Sequence, residues 1–292
     1  MTAAVPWLVT GAGGQVGRRV VEALGHAARG FGRGELDITD DDAVGQAFAQ
    51  VRPALVVNCA AYTNVDGAES QPDVAYAVNG EGPAVLARAC RQAGIPLIHL
   101  STDYAFDGVA GRPYVEDDDA APLGVYAASK VAGEQAVLTS GAIAVILRLA
   151  WVFDRAEDGF IGAVLRRGRQ QQRLPMVADQ FGCPTPATAI AQVIVQVGQA
   201  LLAGRGQGEI YHYCGAPAVC RLDWAREILD AGGLSHVELE PVRSDYFPSA
   251  ASRPPYSALD CRRIAAVFGV EQPDWRAALR RAVGEAIKGE RP

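Results

Sequence analysis

Tyr126 and Lys130 stand four residues apart in the run VYAASKVAG, and Lys130 is one of only two lysines among 27 basic residues. On a helix the two side chains share a face, one turn apart. That geometry suits a phenol whose proton is managed by an ammonium group, and it suits an exposed pair with no chemistry equally well. Random order would give roughly 0.06 Tyr-x-x-x-Lys pairs in a chain of this composition, so the spacing has to be weighed with the rest of the chain. Upstream, the stretch HLSTDYAFDG starts as a buried strand and reaches Thr102 and Asp103. In an open parallel sheet the carboxyl ends of strands line the ligand crevice. A hydroxyl there can donate to a carbonyl oxygen shared with Tyr126, or Thr102 and Asp103 can cap a turn.

A third group opens the chain. VTGAGGQVGRRV sets Gly11, Gly14 and Gly17 at a G-x-x-G-x-x-G spacing between an apolar run and a helical pattern starting near Gln15. The first glycine permits a tight turn, the second lets backbone approach a pyrophosphate, and the third packs helix on strand. The phosphates of a dinucleotide then meet the N–H groups and positive dipole end of the helix. The second strand is expected to end near 31–33 without the acidic residue that grips a free ribose 2′-hydroxyl. Arg33 there can meet a 2′-phosphate, favouring NADPH over NADH, or be a solvated loop charge. Asp37 in LDITD either flanks the adenosine or caps the next helix.

The elements that must position these groups follow from hydrophobic rhythm. WLVTG, ALVVNCA, PLIHLS and AIAVILRLA read as buried strands separated by helices that end near Val51, run over about 74–93, and carry Tyr126. Near-continuous apolar strands alternating with helices imply a parallel sheet covered on both faces, a Rossmann-type doubly wound α/β fold. After about Trp151 the rhythm shortens. Strands such as GEIYHY and helices such as LDWAREILDA, split by CPTP and SRPPYS, suggest a smaller C-terminal α/β substrate-binding lobe. Residues 1–150 are thus expected to form the NAD(P)-binding domain and 151–292 mainly the lobe, with the chain free to cross back.

Bulk properties narrow the partners. A net charge of −6 over 292 residues argues against general nucleic-acid binding. No run reaches the ~18 apolar residues of a membrane span, and no signal peptide is apparent. Six cysteines without Cys-x-x-Cys or metal spacing imply reduced thiols and a cytoplasmic protein. The acidic run 116–119 is either a solvated loop or a cation site, the loop being favoured, so no metal is expected.

The ordered segments ELDITD, NCAAYTNVDGAE, AVNGEGPAVLA, STDYAFDG, APLGVYAASKVAGE, RLAWVF, DQFGCPT and SRPPYSALD resemble the dTDP-4-dehydrorhamnose reductases of the extended short-chain dehydrogenase/reductase superfamily, over nearly the whole chain. The resemblance implies reduction of the C4 keto group of a nucleotide-linked 4-keto-6-deoxysugar, with dTDP-4-dehydro-L-rhamnose as the expected substrate. Tyr126 would be the general acid. Lys130 would lower the phenol pKa and hold the nicotinamide ribose, a task for a compact ammonium that a planar guanidinium would not suit. Thr102 would orient the carbonyl. Gly14, Gln15, Val16, Asp37, Ile38, Ala60, Ala61, Tyr62 and Thr63 would touch the cofactor, and Asn79 would be a structural or cofactor-side polar group. Val65, Asp103 and Tyr104 would line the sugar pocket, Trp151 would lie against the deoxysugar ring, and Arg253 would meet the diphosphate.

Some positions depart from the family pattern. Gly124 replaces a common Asn, Ala150 and Phe153 replace hydroxyl-bearing residues, and Arg19 stands where some relatives carry an acidic ligand of a dimer-bridging metal. The chain is therefore expected as a monomer or a homodimer without that bridge. A sister 4-ketoreductase, such as a dihydrostreptose synthase, and a non-catalytic subunit like the regulatory subunit of methionine adenosyltransferase are the alternatives. A 4,6-dehydratase is disfavoured because Thr102 is followed by Asp103 and Tyr104, without the Glu of an Asp-Glu pair.

Overall fold

The computed structural model describes residues 5–206 and 208–289. The first half alternates strands and helices: β1 (Trp7–Thr10), α1 (Gln15–Leu24), β2 (Ala28–Phe31), α2 (Asp41–Val51), β3 (Leu55–Asn58), α3 (Val65–Ser70), α4 (Pro72–Tyr76), α5 (Gly82–Ala93), β4 (Leu97–Thr102), α6 (Val125–Thr139) and β5 (Ala144–Leu149). The helix expected over about 74–93 is interrupted by a π-turn at Ala77–Glu81, which lets Asn79 turn inward. The second half contributes β6 (Val152–Phe153), α7 (Gly159–Gln170), β7 (Arg173–Val177), β8 (Phe181–Gly182), β9 (Thr185–Pro186), α8 (Ala187–Leu202), β10 (Glu209–Tyr213), β11 (Val219–Cys220), α9 (Arg221–Ala231), β12 (Glu238–Val242), α10 (Arg262–Phe268) and α11 (Trp275–Gly289).

Six parallel strands form the central sheet in the order β10-β5-β4-β3-β1-β2. β1 pairs with β2 on one side and β3 on the other, so the strand order reverses there and a crevice opens at the strands' carboxyl ends. Side-chain alternation explains the two covered faces. Trp7 and Val9 pack with Ile190, Ile194 and Val197 of α8, whereas Leu8 packs with Val44, Leu86 and Val137 of α2, α5 and α6. GEIYHY, read from the sequence as a strand of the lobe, instead forms β10 at the edge of the central sheet. Its burial there is completed at long range, because the His212 N–H donates to Glu116 and its ring meets the Tyr114 carbonyl.

The lobe has its own core of Phe153, Ile161, Leu174, Trp224, Ile228, Trp275 and Leu279. Asp154, just after β6, is buried and accepts from Arg18 and Arg19 at 2.6 Å each, tying α1 to the lobe. All six cysteines are free thiols. Among the described residues no helix is long and apolar enough to cross a membrane.

Candidate active site

A cleft of about 1090 Å³ runs along the carboxyl ends of the central strands and up to the lobe. Every residue nominated from the sequence lines it except Arg253 and Asn79. At one end lies the glycine turn. Gly11 takes φ +64°, and a Cβ on Gly17 would stand 2.2 Å from the Gly11 carbonyl oxygen, so helix and turn touch backbone to backbone. Gly14 caps α1 without a side-chain hydrogen bond, and the first turn carries no acidic residue. Gly13, which the spacing did not single out, lines the cleft and has open space where a Cβ would be. These features fit a diphosphate docked on the α1 N-terminus.

Arg33 lies exposed at the cleft rim and makes no ion pair among the described residues; its charge acts on Asp37. Asp37 accepts from the Thr39 N–H and hydroxyl, which holds its carboxyl below the usual range. The helix-capping alternative for Asp37 is corrected: Asp40 caps α2, because only its carboxylate reaches the N–H groups of Asp42 and Ala43. Ala60, Ala61, Tyr62 and Thr63 follow β3. Asn79 pins that loop, accepting from the Tyr62 N–H at 2.8 Å and donating to the Tyr62 carbonyl and the Ser129 hydroxyl.

Tyr126, Lys130 and Thr102 meet where β4 ends beside α6. Lys130 is 3% exposed, and its Nζ donates to the Leu100 carbonyl at 2.6 Å. Burial pulls its pKa down to about 8, opposed by the negative charge of Glu134. Burial pushes the Tyr126 phenol up; the Thr102 hydroxyl acts in the opposite direction, while Asp103 and Tyr104 add to the rise. The Lys130 ammonium is turned to the Leu100 carbonyl in this arrangement. Thr102 also caps the turn Asp103–Ala105 by accepting from the Tyr104 N–H at 3.1 Å. Asp103 is buried beneath Ser257, and desolvation raises its carboxyl to about 6. At the start of α6 the Glu69 carboxylate accepts from the Val125 N–H at 2.8 Å. A Cβ at Gly124 would stand 2.7 Å from that carboxylate, so the glycine makes room for a cap supplied by α3.

The lobe closes the far end. Trp151 has φ +37° and lines the cleft, yet its indole stacks on Trp224 and carries the Arg221 guanidinium 3.6 Å above its ring. Arg221 was not visible as a site residue in the sequence, where it only opens an amphipathic helix. Arg253 does not line the cleft but stands near Tyr104 and Arg221, and its guanidinium is held by neighbours. It donates to Asp66 at 2.7 and 3.2 Å, to the Ala251 carbonyl, and to Ser249. In the acidic run, Glu116 and Asp117 pair with Arg263, and Asp118 with Arg112. Arg19 pairs with Glu22 and Asp154.

A buried cation and hydroxyl with a half-buried phenol, beside a dinucleotide-sized cleft, make a site able to protonate a carbonyl oxygen next to a bound cofactor. The model of the family described as RmlD substrate binding domain matches residues 6–287. The chain is 43% identical to a dTDP-4-dehydrorhamnose reductase of Streptomyces griseus, over 94% of this chain and 91% of that one. It is 38% identical to a probable dTDP-4,6-dihydroxy-2-methyloxan-3-one 4-ketoreductase of Streptomyces antibioticus, over 98% and 97%. Among solved structures, a dTDP-4-dehydrorhamnose reductase of Bacillus anthracis in complex with NADP superposes with a TM-score of 0.89 at 32% identity, covering 97% of this chain and all of that one.

Proposed function

The chain belongs to the RmlD substrate binding domain family, and from that premise we propose that it is an NADPH-dependent reductase of the C4 keto group of dTDP-4-dehydro-L-rhamnose, forming dTDP-L-rhamnose. The observation that carries the reading is that Thr102, Tyr126 and Lys130 open into the same cleft as the Gly11–Gly14–Gly17 cradle. Bound in that cradle, the nicotinamide cofactor supplies the hydride.

The chain's own residues supply positioning and the proton. The Thr102 hydroxyl and the Tyr126 phenol converge on one carbonyl oxygen, and Tyr126 gives up its proton as negative charge develops there. Lys130, one helical turn away, would hold the ribose hydroxyls of the bound cofactor and stabilise the nascent phenolate. Asp103 serves beneath, holding the Thr102 turn, rather than as a proton donor to the sugar. Arg33, free of any carboxylate partner among the described residues, supports NADPH over NADH. The lobe built largely from residues after Trp151 would hold the sugar and nucleotide. A cytoplasmic location accords with six free thiols.

A sister dTDP-4-ketosugar reductase is the second reading, favoured by the match to the Streptomyces antibioticus 4-ketoreductase over 98% of the chain. Incubation with dTDP-4-dehydro-L-rhamnose and NADPH, followed by cofactor absorbance and identification of the sugar, separates the two. Rapid oxidation of NADPH with dTDP-L-rhamnose as product supports the first. Turnover only with another 4-ketosugar supports the second, and no turnover with either removes both.

A further inference from the structure

We propose that Arg221, the first residue of α9, grips the sugar-linked phosphate of the nucleotide diphosphate, with Trp151 as the platform that holds its guanidinium. The proposal rests on the reductase reading above.

Arg221 is drawn partly out of water by three aromatic rings. Its guanidinium lies 3.6 Å over Trp151 and 5.0 and 5.5 Å from the ring centres of Phe160 and Trp224. Burial works against its charge, yet it forms no ion pair among the described residues. The anion nearest in effect, Asp103, has its carboxyl oxygens engaged by Thr102 and Ser257, and Tyr104 offers only a neutral phenol. A desolvated guanidinium calls for an anion, because a buried charge without a partner is costly. Arg221 lines the main cleft, so the missing partner is expected to arrive there with the substrate.

Position selects which anion. Tyr104 stands between the two groups: its ring meets the Tyr126 ring edge-on at 6.2 Å, and its phenol lies near enough to Arg221 to favour the guanidinium's charge. With the C4 carbonyl at Tyr126, the C1 substituent leaves the opposite side of the pyranose ring, toward Arg221. That substituent is the β-phosphate of dTDP. A planar fork stacked on an indole is pre-organised for two phosphate oxygens. Arg253, the arginine first expected in this role, is already neutralised by Asp66 at 2.7 Å. Trp151 then serves the substrate through Arg221, whose guanidinium lies over its ring.

The test is calorimetric titration of the NADP-saturated protein with dTDP and with dTMP, which lacks the β-phosphate. Arg221→Gln should weaken dTDP binding by roughly 10- to 100-fold, the usual effect of losing a charge-assisted bidentate contact. Its dTMP affinity should stay within about twofold, which also shows that the variant is folded. Arg221→Lys, which keeps the charge but not the fork, should fall between, and Arg253→Gln should lose little. If Arg221→Gln binds dTDP like the wild type, or if Arg253→Gln carries the loss, this inference fails while the reductase reading stands. If the wild type binds neither nucleotide, the reductase reading fails and this inference falls with it.

Discussion

Replacing Lys130 with methionine should make the folded chain harder to unfold near neutral pH while stopping turnover. Lys130 titrates at 10.5 when unfolded and at about 8 in the fold, because burial disfavours its charge. At about 1.4 kcal/mol per pKa unit, holding the ammonium in place costs about 3 kcal/mol below pH 8. Methionine has similar length and no charge, so that cost disappears. The Leu100 carbonyl then loses its 2.6 Å donor, which costs about 1–3 kcal/mol. The net gain near pH 7 is therefore up to about 2 kcal/mol. The sign with pH is fixed. Between about 8 and 10.5 the unfolded chain still binds the proton that the folded chain has released, so wild-type stability rises with pH relative to the variant. Denaturant unfolding of both proteins from about pH 7 to about pH 10 should show the variant's advantage shrinking and then reversing. Parallel stabilities across that range would refute the account of a buried, charge-strained lysine. Lys130→Arg should also lose most activity, since a planar guanidinium does not reproduce the compact ammonium that meets the Leu100 carbonyl.

Tyr126→Phe should lower kcat by about 10²–10⁴-fold with little change in substrate affinity, and near-normal turnover would remove the phenol from the acid role. Arg33→Ala should raise the KM for NADPH more than that for NADH; equal effects would mean that Arg33 does not see the 2′-phosphate. Because the Trp151 indole packs against Trp224 and supports Arg221, Trp151→Ala should cost about 2–3 kcal/mol of stability as well as substrate affinity. Thermal melting beside kinetics checks this, and an unchanged melting temperature would return Trp151 to the role of a free sugar platform. The free protein's kcat/KM for NADPH should fall as pH rises through about 8, where Lys130 loses its proton; a flat profile to about pH 9 would contradict that.

Legibility followed locality. The strands over WLVT, LVVN, LIHLST and AVILRL were readable because both sheet faces are covered and the apolar runs are unbroken. Tyr126 and Lys130 were readable because one helix sets their spacing. β10 was misplaced because its pairing with β5, and the burial of His212 by Glu116, depend on residues distant in the chain. Arg253 looked free beside its prolines, since Asp66 lies 187 positions away. Arg221 was silent for the same reason: the indole that holds it sits at the end of an earlier strand. The direction of the Lys130 ammonium was beyond reach, because a helix period places a side chain on a face without saying which carbonyl it meets.

The most direct measurement is isotopic. NADPH carrying deuterium at the transferable C4 position of the nicotinamide would be incubated with dTDP-4-dehydro-L-rhamnose, and the sugar product read by mass spectrometry and NMR. The expected result is one deuterium at C4 of dTDP-L-rhamnose with wild-type protein, and almost none within the same time with Tyr126→Phe. Deuterium at any other sugar carbon, or unlabelled product formed with the cofactor unspent, would contradict carbonyl reduction at this site.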